Sequence, residues 1–468
     1  LEILRSLGGA DQLIEKGSAG AHLAVHGRRR TVHLPLFDDD VRDTAYPYVL
    51  FVPQSETEAA LTSYLAGRDI TVHRGTRYVG HQATTDGVVT RVIGPDGSRE
   101  IASRFLVGCD GAHSSVRRSL GIDFTGHRHP QRFLLADLEL RGDLDRRCVH
   151  AWFGREGLLL LFPLAAPASW RLVTTLADHD PVVDAVPRVL DRHLDGRLQP
   201  GPTAWVSEFR VSARQARRYR AGSVFLAGDA AHVHSPAGGQ GMNTGLLDAW
   251  NLGWKLAMVA QGRAQETLLD TYEGERWPIG RGVVELTERL LRAATSPRWA
   301  PVRAQVAPSL VWVVGHLPQR SAAFRRMAQL AHHYRSSPLS TQDIWQGGLR
   351  AGDRLPDLPV SVLGSPVLSH PGQMPMERPR TSLGLHELTQ APGFHVVVCG
   401  GRLLGASART GPGVTTHVVD GWHPGWRVVV VRPDGHIGYL GGSLEGAHGY
   451  LSRWLRTPRL ELAENVEV

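Results

Sequence analysis

Residues 224–256 read VFLAGDAAHVHSPAGGQGMNTGLLDAWNLGWKL, placing a carboxylate, a glycine-rich loop and an amphipathic run in immediate succession. The segment SVFLAGD has the pattern of a buried parallel strand, ending on Gly228 and Asp229. Open α/β sheets bind ligands at that carboxyl end. A carboxylate there can accept hydrogen bonds from the hydroxyls of a sugar or ribityl chain. Gly238, Gly239 and Gly241 allow positive φ and close approach of backbone to a flat ligand, while Pro236 stiffens the loop. Met242, Leu246, Trp250, Leu252 and Leu256 recur at helical spacing, which predicts a helix from about Gly241 to about Gly262. Met242 and Asn243 fall in its first turn, where unpaired amides and the helix dipole favour negative charge. A polyol, a planar ring and an anionic locus occur together in a reduced flavin. Taken alone, the loop reads equally well as a plain turn. The absence of GK[ST] after the glycines excludes a P-loop.

A second constellation lies upstream, in IASRFLVGCDGAHSSVRRSLGI. An apolar strand ends at Gly108, Asp110 and Gly111 come next, and Ser114 is a suitable N-cap for a short helix carrying Arg117 and Arg118. At this spacing Asp110 and Arg117 can hold one another while the helix start faces a diphosphate. The alternative is a plain strand–turn–helix unit with a solvated arginine pair.

In this order, the two stretches resemble the "DG" and "GD" motifs of the flavin-dependent aromatic hydroxylases with the para-hydroxybenzoate hydroxylase fold. The likeness runs over nearly the whole chain and is greatest to antibiotic-pathway hydroxylases of aromatic polyketides. YPYVLFVPQSETEAALTSYL also matches, and the resemblance implies that Gln54 contacts the flavin. It further implies that Asp229 binds the ribityl chain and that residues 236–243 line the isoalloxazine. Asp110, Gly111 and Arg117 are implied in FAD and NAD(P)H contacts. His232 and His234 beside this site are read as structural or pocket histidines. The implied reaction uses FAD, O2 and NAD(P)H, with NADPH favoured. It hydroxylates a polycyclic, polyketide-type aromatic through a C4a-hydroperoxyflavin protected from water. No side chain presents itself as the catalytic base.

One departure stands out. The family opens with a strand and G-x-G-x-x-G, and no such fingerprint precedes Asp110. LEILRSLGG resembles the segment a few residues beyond that unit in relatives. The expectation is that roughly 45–50 residues are missing from this chain, a βαβ unit being about 30 residues or more plus a connection.

The elements that must position these residues imply an α/β fold. Its parts are a FAD-binding Rossmann-like domain, an inserted, mostly antiparallel substrate sheet and a C-terminal thioredoxin-like domain. The expected boundaries are 1–125 with 219–285 for the FAD domain and 126–218 for the substrate sheet, to which 20–50 contributes. A helical connection occupies 286–346, and the thioredoxin-like domain 347–468. HLAVHGRRRTVHLPL reads as a strand pair, and GPDG as a hairpin turn within 70–99. FLLADLEL, VHAWF, LLLLFPL and WRLVTTL alternate as sheet strands, with Trp152, Phe162 and Trp170 as candidates for a pocket wall. GFHVVVCGG and the hairpin WRVVVVRPDGHIGYLGG have thioredoxin order but no CxxC, so thioredoxin redox chemistry is excluded.

Composition narrows the classes further. The 468 residues are 42 % hydrophobic and 21 % charged with net charge +7, as in ordinary globular proteins. The cations are nearly all arginine, the lysines being Lys16 and Lys255, and they are scattered, which argues against nucleic acid. Cys109, Cys148 and Cys399 form no CxxC or metal spacing, so reduced thiols, no metal and a cytoplasmic setting are expected. The longest apolar run, residues 158–164, is too short for a bilayer span, and no secretory leader is read. A monomer or homodimer is expected. Three other readings share the flavin motifs: Baeyer–Villiger or epoxidising oxygen transfer, a non-catalytic aromatic-binding relative, and a halogenase. The last lacks its W-x-W-x-I-P pattern.

Overall fold

The computed structural model describes residues 1–20, 22–27, 30–35, 41–154, 157–164, 169–176, 182, 185–194, 198–235, 239–295, 309, 320–343, 348–362, 381–399, 413–420, 422 and 427–456. Pro236 and Gly238, and much of the expected connection and linker, lie outside them. The chain divides into two compact units, 1–41 with 46–245 and 280–329, and 42–45 with 246–279 and 330–468.

In the first unit an eight-stranded sheet dominates. Its order is His232–Val233, Gln199–Ala216, Phe124–Arg141, Trp170–Leu176, Gly157–Pro163, Cys148–Gly154, His22–His26, Thr31–Pro35. Every neighbour is antiparallel except Cys148–Gly154 beside His22–His26. Side chains alternate across a strand, so one face and the other collect different residues. One face carries Leu134, Ala136, Leu138, Leu159, Leu161, Trp170 and Leu172, and it packs under the helix Ala185–Leu194. That helix buries Ala185, Val186, Val189, Leu190 and Leu194, a 3.6-residue stripe that matches the sheet's apolar face.

A smaller sheet holds the two ligand-type strands. Leu106–Gly108 runs parallel to Val224–Leu226, with Arg220–Ala221 at the far edge. A three-stranded meander, Arg77–Thr84, Gly87–Gly94 and Gly97–Ser103, turns at the expected GPDG.

The second unit contains a seven-stranded sheet. Phe394–Cys399 and Val414–Asp420 are parallel, Val428–Val431 pairs antiparallel with the first of them, and Ile437–Gly441 continues the hairpin. The helix Leu444–Trp454 comes after it, capped by the Ser443 hydroxyl on Gly446 N–H. These strand orders and senses are those of a thioredoxin core. Among the described residues no helix is long and apolar enough to cross a membrane.

Candidate functional site

The parallel pair places Leu226 opposite Gly108, so Asp110 and Asp229 both emerge from the carboxyl ends of adjacent strands. Val224, Phe225 and Leu226 are buried, which anchors the strand and leaves its end as the first accessible point. Gly108 is required by packing: a Cβ there would lie 2.8 Å from Val116 Cβ and 3.1 Å from Leu226 Cδ2. The short helix Ser115–Ser119 can therefore sit directly on the strand pair. Asp110 and Cys109 border a 390 Å³ cleft that also touches Thr90, Ile101 and Ser103.

Ser114 caps the short helix as expected, its hydroxyl accepting from Arg117 N–H at 2.9 Å. The Asp110–Arg117 pairing does not form. Asp110 instead accepts from Ser115 N–H (2.6 Å), Val116 N–H (3.1 Å) and the Ser114 hydroxyl. Helix-start amides offer two aligned donors to its carboxylate. Arg117, 5 % exposed, donates to the carbonyls of Ala230 (2.7 Å) and Ala112 (2.9 Å) and lies 3.8 Å over the Phe124 ring. It ties the two motif segments together. Gly111 takes φ +80°, and no heavy atom lies within 4 Å of the point a Cβ would occupy, leaving open space beside this turn.

At the second motif, Gly228 adopts φ +59°, and a Cβ on Gly245 would stand 3.3 Å from its Cα. Glycine against glycine lets the start of the helix Gly241–Ala260 close on the strand end. Thr244 N–H donates to Gln240 O at 2.9 Å, and the amides of Gly241, Met242 and Asn243 lie ahead of that bond. Gln329 Nε2 donates to Thr244 Oγ1 at 2.7 Å and secures the turn. Asp229, Met242 and Asn243 are all exposed. Gly239 takes φ +63° with open space where a Cβ would be.

His232 is 1 % exposed and belongs to the packing beneath the site. His234 Nδ1 lies 2.9 Å from Ser235 O, which can only accept, so Nδ1 carries the hydrogen. Burial lowers the pKa of this ring, leaving it neutral. Its Nε2 is then an acceptor, sealed from solvent and without a partner among the described residues. The ring edge lies 3.8 Å from the Cβ position of Gly241. Among the described residues, an exposed carboxylate with no donor, the amides of a helix start, glycines facing open space and an orphaned acceptor suit a ligand with hydroxyls and a polar ring edge. The residues present fit a flavin.

Gln54 opens the helix Gln54–Ala66, exposed, with Nε2 donating to Glu58 at 2.9 Å. The three aromatic candidates separate between the sheet faces. Trp170, 3 % exposed, is core under the helix Ala185–Leu194. Trp152 packs against the same cluster and stacks on His26, centroids 4.2 Å apart. Neither faces an open wall, because strand alternation turns both toward that helix. Phe162 lies on the opposite face, half-buried, 5.9 Å from Phe51. Its cross-strand row continues to Arg171 and Asp137, and the adjacent row runs Leu160, Val173, Leu135. Arg171 and Asp137 form a bidentate pair, 2.8 and 2.9 Å, that sequence spacing could not reveal.

A family model described as FAD binding domain matches residues 1–287. The 6-methylpretetramide 4-monooxygenase of Streptomyces rimosus is 38 % identical over 386 residues, covering 80 % of this chain and 67 % of that protein. The 12-dehydrotetracycline 5-monooxygenase/anhydrotetracycline 6-monooxygenase of Streptomyces rimosus subsp. rimosus is 35 % identical over 345 residues, 68 % of this chain and 64 % of that protein. The chain thus spans about two thirds of the length of the curated relatives it matches. A solved anhydrotetracycline hydroxylase from Streptomyces rimosus superposes with a TM-score of 0.77 at 28 % identity, covering 98 % of this chain and 90 % of that one. With its two strand-end acids and glycine-opened helix start in place, the chain belongs to the FAD binding domain family.

Proposed function

We propose that this chain carries the core of a flavin-dependent monooxygenase that hydroxylates a polycyclic aromatic of the polyketide type, with NADPH as reductant. The observation that carries the reading is the exposed Asp229 carboxylate, to which no described residue donates, near the amides of residues 241–243 that open a helix. The relatives that act on pretetramide and tetracycline intermediates support the substrate class. Bound FAD, once reduced by a nicotinamide, supplies activation of molecular oxygen for transfer to an electron-rich ring. The chain's own residues then have three tasks. Asp229 accepts hydrogen bonds from ribityl hydroxyls. The amides of Gly241, Met242 and Asn243 stabilise negative charge on the ligand's polar ring edge, as a helix N-terminus does. His234 Nε2 accepts a hydrogen bond at that same edge.

The sheet face of Leu135, Leu160, Phe162 and Val173 is the aromatic-binding wall in this reading. It is apolar, only partly covered and broad enough for fused rings, and in this reading it keeps water from the reacting atoms. The Arg171–Asp137 pair supplies a polar point on that wall for a substrate hydroxyl or carbonyl.

The test uses the full-length protein, a panel of polycyclic phenols, and mass analysis of products alongside NADPH consumption. The expected result is a yellow protein and a product one oxygen heavier. NADPH consumption that yields only hydrogen peroxide with every phenol, or a colourless protein, overturns the reading.

A further inference from the structure

The end of the strand Phe124–Arg141 brings two histidines to the helix Asp270–Thr295. His127 and His129 stand two residues apart, with ring centroids 4.9 Å apart and nearly edge-on. Glu288 approaches from the helix, with Oε1 3.1 Å from His127 Nε2. One donor atom from each of the three side chains lies within 4.8 Å of the others. We propose that His127, His129 and Glu288 form a binding site for a divalent transition metal of the Zn2+ type, fastening the sheet's strand to the helix.

The donor chemistry selects the ion. Two imidazoles and one carboxylate suit Zn2+ and its first-row neighbours, whereas Mg2+ and Ca2+ require mainly oxygen ligands. Three protein ligands with water in the fourth place are a common zinc arrangement. Bonds of about 2.0–2.1 Å put tetrahedral donors about 3.4 Å apart. The His127–Glu288 pair is already close to that separation. The remaining closure needs only rotation of side chains, and the His127 side chain is 51 % exposed and free to supply it. His129 Nε2 is buried without a hydrogen-bond partner among the described residues, so this ring holds an unused nitrogen. Arg292 also engages Glu288 from the next helical turn, but its side chain is 67 % exposed and can release the carboxylate.

The ligands come from a strand and a distant helix, so a bound ion would cross-link two elements of the first unit and stabilise the folded state. Isothermal titration of the full chain with ZnCl2, in a buffer that does not chelate, tests the site. The parent is expected to bind one Zn2+ at a site distinct from the weak background of its 23 histidines. His127→Gln and Glu288→Gln should each weaken that site about tenfold or more, leaving the background unchanged. Zn2+ should raise the parent's melting temperature and not that of His127→Gln. Two outcomes overturn the proposal: no Zn2+ binding by the parent at millimolar metal, or equal binding by parent and both variants. Should Glu288→Gln fail to fold, His127→Gln decides, because it alters only a half-exposed ring.

Discussion

Asp229 offers a carboxylate to which no described residue donates, and the proposed function gives that place to a ligand hydroxyl. Asp229→Ala should leave flavin hydroxyls unpaired at a partly enclosed site. Hydrogen bonds to charged groups contribute about 1.5–3 kcal/mol each, so the Kd for FAD should rise about ten- to a hundredfold. Asp229→Asn should lose less, since the amide oxygen still accepts. Fluorescence quenching on titration with FAD reads both, and unchanged affinity in Asp229→Ala would remove the flavin role from this residue. Arg117 provides the contrast. It is buried against Phe124 with both guanidinium bonds on backbone carbonyls. Arg117→Ala should cost about 2–4 kcal/mol of stability in urea unfolding through lost charged hydrogen bonds and ring contact. Parent-like unfolding of this variant would show that the strut is dispensable. Lysine cannot replace it, having no planar fork to reach two carbonyls.

At the scale of elements, the site depends on how close the helix Gly241–Ala260 comes to the end of Val224–Leu226. Gly245 sits against Gly228, which occupies the left-handed region. Gly245→Val would drive a branched side chain into that contact and push the helix start outward. The expected outcome is weaker FAD binding together with a melting temperature lower by several degrees. Gly253→Ala in the same helix is the matching control. Gly253 is exposed, with no atom within 4 Å of its Cβ position. Alanine there should stabilise by about 0.5–1 kcal/mol through helix propensity, with FAD binding unchanged. If Gly245→Val binds FAD as the parent does, the close approach has no part in forming the site.

At the scale of the whole molecule, the second unit is organised around buried charge. Lys255, Arg432, Glu275 and Asp434 are each about 0–1 % exposed by side chain, two cations against two anions. Arg432 grips Glu275 with both Nη atoms at 2.7 and 2.9 Å, and Lys255 Nζ reaches it at 2.7 Å. Asn251 and Ser337 complete the carboxylate's bonds. Burial lowers the Lys255 ammonium to about 8 against the pull of Glu275, with Arg432 adding to the lowering, so it is charged at neutral pH. Burial would raise the Glu275 pKa, but Arg432 and then Lys255 outweigh it and hold the carboxyl at about 2, below its ordinary 4.5. A carboxyl depressed on folding contributes stability above its unfolded pKa and loses it as pH falls through the folded one. Stability to urea should therefore decline as pH drops from about 4.5 toward about 2. Glu275→Gln should flatten that decline. Glu275→Ala at neutral pH should cost about 3–5 kcal/mol, because it strands the buried Lys255 and leaves Arg432 to Asp434 alone. Identical pH slopes in the parent and Glu275→Gln would contradict this assignment.

Legible in the sequence is whatever neighbouring residues decide among themselves. The strand ending at Gly228–Asp229, the helix starting at Gly241, the Ser114 cap and the RPDG hairpin all rest on period, capping and turn chemistry within a few residues. The alternation in WRLVTTL and LLLLFPL likewise announces a sheet. It cannot say which face meets a helix, so Trp170 and Phe162 looked alike until the helix Ala185–Leu194 covered one face and left the other half-open. Asp110 and Arg117 have a spacing that permits a pair, but the helix amides and two carbonyls compete for them and win, a contest that only assembled backbone can stage. The same holds for Glu275 with Arg432, Arg171 with Asp137, and Glu288 with His127: these partners are far apart in the chain. Their meeting depends on strand order and helix packing, which long-range burial of apolar surface determines and local sequence does not encode.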